Sequence, residues 1–181
     1  MKISNLKFKI ALSFTIYIFL LISYHRFVFA ESSYVLPYPS AMPGSFLYKL
    51  NLIQEEILKY WYFGDFGQFK YNLNQSDKYL VEAKTLFDYK QHLLAYQALQ
   101  RSDNYFKKIE PNILAAKKNG KNTVDKEILL KEAAEKHKVE LEKLKKNLPR
   151  TFEWRPEKQQ PETLNLQDSL ESSIRIRQEV L

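Results

Sequence analysis

The sequence predicts an all-α protein, an up-down bundle or array of about four helices. Three observations carry that prediction. Apolar residues recur at spacings of three and four over long stretches, which is the signature of a helix with one buried face. Glycine is scarce, with four residues in 181, and no stretch shows the alternation of a half-buried strand. Breakers fall where each periodic run ends: Gly64-Asp65, Asp88 to Gln91, Asn119-Gly120 and Pro149.

The first helix follows a proline-set lead-in. Pro37, Pro39 and Pro43 fix φ and push their preceding residues towards extended geometry, so residues 31–44 are predicted to be non-helical. Ser45, after Pro43-Gly44, is placed to accept a first-turn N–H as an N-cap. Phe46, Leu50, Ile53, Ile57 and Tyr60 then form one face, expected to lie against the core. Gln54, Glu55, Glu56 and Lys59 fall mostly off it, and Tyr60-Trp61-Tyr62-Phe63 closes the helix.

A second helix after Gly67 carries Phe69, Leu73, Ser76, Leu80, Ala83 and Phe87. A third carries Ala95, Leu99, Ser102, Phe106, Ile109 and Ile113, with Pro111 interrupting it near Ile109. Asn119-Gly120 ends that run, and Lys117, Lys118 and Lys121 crowd the negative end of its dipole. Asn122 or Thr123 caps a fourth helix, whose seam is Leu130, Ala134, His137, Leu141, Leu144 and Leu148. Its narrow stripe and acid-before-base pairs (Glu127 to Lys131, Glu132 to Lys136, Glu142 to Lys146) leave two options open. It packs into the bundle of residues 45–148, or it projects as a coiled-coil arm or pairs with another chain. Residues 149–181 read as a polar linker and a flexible tail. Leu166, Leu170, Ile174 and Arg177 are in helical spacing there, as in a short helix that orders on a partner.

Two stretches share a pattern. Ser76-Asp77-Lys78-Tyr79-Leu80 is echoed by Ser102-Asp103-Asn104-Tyr105-Phe106. The spacing does not fit a repeat of about 34 residues, so coincidence within two amphipathic helices is the better reading.

The start of the chain has the three parts of a secretion signal. Lys2, Lys7 and Lys9 precede an apolar run, Ile10 to Ile22, that is too short on its own to span a bilayer. Val28-Phe29-Ala30 suits a signal peptidase cutting before Glu31, whereas His25 and Arg26 disfavour cutting. Residues 1–30 are thus a cleaved signal or an uncleaved N-terminal anchor, and in both cases the remainder is exported. The formal charge of +7 includes Lys2, Lys7, Lys9 and Arg26, with no acid before Glu31, so the exported part carries +7 less four, or +3. That argues against a nucleic-acid binder.

The candidate chemistries are few. The absence of cysteine excludes disulfides, thiolate zinc sites, cysteine nucleophiles and a lipidated N-terminal cysteine. Glu135 and Glu140 near His137 do not make the Glu-x-x-His spacing of di-iron bundles, and no HExxH motif occurs. There is no Gly-x-Ser-x-Gly elbow and no phosphate-gripping glycine loop. Glu55-Glu56 reads as a solvated helical pair and not as glycosidase carboxylates. No catalytic, cofactor or metal residue is assigned. His137, on an apolar seam, reads as a core histidine. The unusual feature is a cluster of aromatics around the first helix. The cluster reads either as core, since aromatic side chains bury a large area, or as an exposed patch that binds a partner, a glycan or the membrane interface. Four consecutive aromatics cannot share one helix face, so at least one of Tyr60, Trp61, Tyr62 and Phe63, the candidate interaction surface, is expected outside the core.

Pro43-Gly44-Ser45-x-Leu47-Tyr48-x-Leu50, followed by Glu55, resembles the start of an uncharacterised bacterial family, domain of unknown function 5667. The stretch from Tyr71-x-Leu73 through Tyr79-Leu80-x-Glu82-Ala83 is similar to that family's second helix, with its Leu-x-x-Glu-Ala pattern. Phe46 stands where a second proline is usual, and Asn51 where a lysine is usual. The resemblance covers about Tyr34 to Lys108. It implies a helical, extracytoplasmic domain placed after a signal peptide or membrane anchor, and no catalytic residues. The expectation is an exported, non-enzymatic helical module of the cell envelope that contacts a protein or envelope component. The alternative is a membrane-tethered extracytoplasmic sensor or regulator, held by its N-terminal segment.

Overall fold

The computed structural model describes residues 34–158 and 160–180. The signal-or-anchor segment at 1–30 lies outside the described residues. Six helices and one hairpin follow the lead-in: α1 Phe46–Trp61, α2 Gly64–Asp88, α3 His92–Phe106, α4 Ile109–Lys118, α5 Val124–Asn147, β1 Thr151–Trp154, β2 Glu162–Asn165 and α6 Leu166–Gln178. The all-α class holds, with the third run split into two helices, a further helix near the C-terminus and a small two-stranded sheet.

Local chemistry sets the boundaries. The Ser45 hydroxyl accepts from the Tyr48 N–H at 3.1 Å and so caps α1. Only Tyr62 and Phe63 separate α1 from α2, and Gly64, at φ 73°, makes that reversal possible. Gln68 closes α1 from outside, its amide donating to the carbonyls of Lys59 and Tyr62. α2 ends in a Schellman motif: Gln91 N–H donates to Leu86 O and Lys90 N–H to Phe87 O, both at 2.9 Å. Here Lys90, not glycine, takes the left-handed position, at φ 59°. α4 ends in the same way on Gly120, with Lys121 donating to Ala116 O and Gly120 to Lys117 O. The predicted break before Pro111 is real. α3 stops at Phe106 and α4 restarts at Ile109, which leaves Pro111 in a first turn where its missing N–H costs nothing. At the start of α5, Asn122 Oδ1 accepts from the Val124 N–H, while the Thr123 hydroxyl donates to the Glu127 carboxylate and caps no backbone N–H.

The α2–α3 hairpin is the centre of the molecule. α5 and α6 pack against it, and α4 packs against the N-terminal part of α2, where Ile109 and Ile113 meet Phe69 and Leu73. One apolar cluster joins Leu80, Ala83, Phe87, Ala95 and Leu99 to Leu141, Leu144, Leu164, Leu166 and Leu170. A second joins Phe69, Leu73, Phe106, Ile109 and Ile113 to Leu130, Ala134 and Ile176. Every residue named on the second and third stripes is buried. The fourth stripe is buried from Leu130 to Leu144, with Leu148 half-buried, so α5 is a bundle member and not a projecting arm.

Two expectations about the fold fail. Residues 149–158 and 160–180 are not a linker and loose tail. β1 and β2 pair antiparallel, Phe152 opposite Leu164, and α6 inserts Leu166, Leu170 and Arg177 fully into the core. The helical spacing was right, but what α6 orders on is its own chain. The second failure is α1. Its apolar stripe does not meet the core; it faces away from it.

Candidate functional site: the outward face of the first helix

α1 is attached by the side that carries Tyr48 and Glu55, with Leu52 and Leu58 half-buried beside them. Tyr48 and Glu55 are its buried residues. Tyr79 donates to Glu55 Oε2 at 2.7 Å, Lys78 forms an ion pair with Glu55 Oε1, and Tyr71 donates to the Glu55 carbonyl at 3.1 Å. Tyr48 donates to Glu82 at 2.9 Å and accepts from Arg101 at 3.1 Å. Burial, with the Glu82 carboxylate beside it, pushes the Tyr48 hydroxyl up to about 12, so it remains a donor. Burial also raises Glu82. The reading of Glu55-Glu56 as a solvated pair therefore holds for Glu56, which stands outside beside Lys59, and fails for Glu55.

The opposite side of α1 carries Phe46, Leu50, Ile53, Ile57, Tyr60 and Trp61. Four of the six are 62–76 % exposed. Of the four candidate interaction residues, Tyr60, Trp61 and Phe63 stand in solvent. Tyr62 turns inward, tilted against Tyr71 with ring centroids 6.0 Å apart. The structure thus adds Trp61 to a stripe, Tyr60 included, that the sequence assigned to the core. Beside α1, a cleft of about 400 Å³ is lined by Lys59, Tyr71, Tyr105 and Lys108, and one of about 370 Å³ by Glu55, Tyr79, Arg101 and Asn104.

A second polar assembly lies inside the bundle. Ser76 and Ser102 exchange hydrogen bonds, each hydroxyl donating to the other's carbonyl, at 3.1 and 2.8 Å. Tyr79 stacks on Tyr105, with ring planes 2° apart. The repeated Ser-Asp-x-Tyr pattern thus pairs with itself across the α2–α3 hairpin. Its aspartates are held from α5, α6 and the lead-in: Asp77 by His137 Nε2 at 2.7 Å and by Tyr34 of the lead-in, Asp103 by Arg177 and by Ser173 at 2.7 Å. Arg177 also reaches Ser102 Oγ at 2.9 Å and His137 Nδ1 at 3.5 Å. With Nδ1 accepting, the histidine proton sits on Nε2, facing Asp77. His137 is the core histidine the sequence suggested, but its setting is polar. Asp77, Asp103 and Arg177 were missed; the repeated Ser-Asp was the visible sign of them. Its centre, Ser76, Ser102, His137, Ser173 and Arg177, is fully buried and internally paired, as a structural network is.

Among the described residues, no three His, Asp or Glu side chains gather as metal ligands. None of the described helices is long and apolar enough to cross a membrane.

Residues 40–151 match the family described as Domain of unknown function (DUF5667). The chain belongs to this family. The DUF5667 match runs from the end of the lead-in through α5 to the first residue of β1, so β2 and α6, with Arg177, lie beyond it. No curated protein and no solved structure matches the chain.

Proposed function

We propose that this DUF5667 protein is an exported, non-enzymatic helical interaction module of the bacterial cell envelope, and that the outward face of α1 is its contact surface. The supporting observation is the orientation of α1: its charged and phenolic side is bonded into the domain, and its apolar side is turned to water. An ordinary surface helix does the reverse, because apolar burial is the main favourable term in folding. Apolar patches of this size on one chain mark contact surfaces. Export is read from the basic and apolar segments before Glu31.

The test is site-specific photocrosslinking in cells. A photoreactive residue at Ile57 should give a discrete adduct, and one at Tyr89, exposed on the α2–α3 turn, should give none. Fractionation of the same cells should place the chain outside the cytoplasm. Absence of any Ile57 adduct, or retention in the cytoplasm, would overturn the reading.

A further inference from the structure

We propose that the occupant of the α1 face is the α1 face of a second copy, packed antiparallel about a two-fold axis near Ile53. This rests on the contact-surface reading above and names its partner.

Area is the first argument. The fractional exposures of Phe46, Leu50, Ile53, Ile57, Tyr60 and Trp61, on ordinary side-chain areas, leave roughly 800 Å² of apolar residue surface open on one chain. A single-chain patch of the usual kind is roughly 300–600 Å². A stable complex covers about 800 Å² per partner, which this face supplies.

Register is the second. At 100° per residue, Lys49 and Glu56 lie on one flank of the stripe two turns apart, and Leu47, Gln54 and Trp61 lie on the other. A two-fold axis perpendicular to an antiparallel pair brings like flanks together. With Ile53 opposite Ile53, Phe46 faces Tyr60 and Leu50 faces Ile57 of the second copy. On one flank Lys49 then meets Glu56 of the second copy, twice per dimer, and on the other Leu47 meets Trp61. A parallel pair would set the charged flank against the apolar one. A bilayer is the poorer occupant, since α1 carries two lysines and two glutamates and has no net attraction for an anionic surface.

The chain lacks cysteine, so Ile53→Cys in the full-length protein supplies one thiol per chain. Oxidation in intact cells should give a disulfide-linked species of twice the chain mass, while Tyr89→Cys gives none. Lys49→Glu should cut the Ile53→Cys yield at least about threefold by setting like charges together. Adding Glu56→Lys should restore it, which repair of folding alone would not do, since both residues are exposed. Three outcomes would overturn the pairing: no linked dimer, a dimer yield indifferent to Lys49→Glu, or shielding of Ile53→Cys from a water-soluble maleimide by lipid vesicles alone. An Ile57 adduct to a different protein without the dimer would refute the second copy and leave the contact surface standing. No adduct of any kind would refute both.

Discussion

Arg177 is the residue through which α6 is locked to the rest of the fold, and its replacement has a calculable effect. The guanidinium has 0 % exposure, pairs with Asp103, donates to Ser102 Oγ and the Ser173 carbonyl, and stacks over Phe106 at 4.8 Å. Arg177→Met keeps most of the volume and removes the charge. Asp103 is then left buried with the Ser173 hydroxyl as its chief remaining partner among these contacts. Removing one partner of a buried ion pair costs about 3–5 kcal/mol, because the other charge stays desolvated. At about 2–4 °C per kcal/mol for a domain of this size, Tm should fall by roughly 6–20 °C. Adding Asp103→Leu removes the stranded carboxylate, so the double variant should regain much of the loss instead of summing the two. Thermal unfolding followed by circular dichroism measures all four proteins. If Arg177→Met melts within about 1 °C of the parent, Arg177 is not buried against Asp103 and the placement of α6 is wrong.

Three further outcomes follow from single positions. Lys90 holds a left-handed φ of 59° at the end of α2, so Lys90→Gly should raise stability by about 0.5–1 kcal/mol in urea unfolding; a decrease would contradict the Schellman geometry. Burial pushes the His137 imidazole below its usual 6.5, with Asp77 opposing. The unfolded chain then takes up a proton that the folded one refuses, so the stability His137 contributes is complete above pH 6.5 and declines as pH falls below it. Melts between about pH 7.5 and 5.5 should show that slope in the parent and lose it in His137→Gln. Burial alone would raise the Glu140 carboxyl, but Lys84 at 2.5 Å and Lys143 at 3.0 Å outweigh it and hold it at about 2. Its contribution is complete above the usual 4.5 and is lost as pH falls towards about 2, a loss that Glu140→Gln should remove from the acid unfolding curve.

The stripes on α2, α3 and α5 were legible because their inward positions are apolar or small, and periodicity detects only that. α6 was illegible for the complementary reason. Two of its inward residues, Ser173 and Arg177, are polar and are buried because Asp103 accepts from both, and a sequence does not display such pairing. The Ser-Asp-x-Tyr echo was visible, but its sense lies in the contact of Ser76 with Ser102 and of Tyr79 with Tyr105. α1 shows a third limit. Its face has the same spacing as the face of α2, and spacing alone does not say whether a helix turns its apolar side to its own core or away from it. Tyr48 and Glu55 held the answer, since the hydrogen bonds and ion pair they make commit the polar side to the domain.

The central claim is that the apolar face of α1 points outward, and one matched pair of substitutions tests it. Leu80→Asp places a carboxylate at a core position with 0 % exposure and should abolish cooperative unfolding. Ile57→Asp makes the same kind of change on a stripe that looks equivalent in the sequence. The outward face predicts that Ile57→Asp keeps the parent's helical circular dichroism and a cooperative melt. Loss of both, as in Leu80→Asp, would mean that the face is core and that α1 is turned the wrong way.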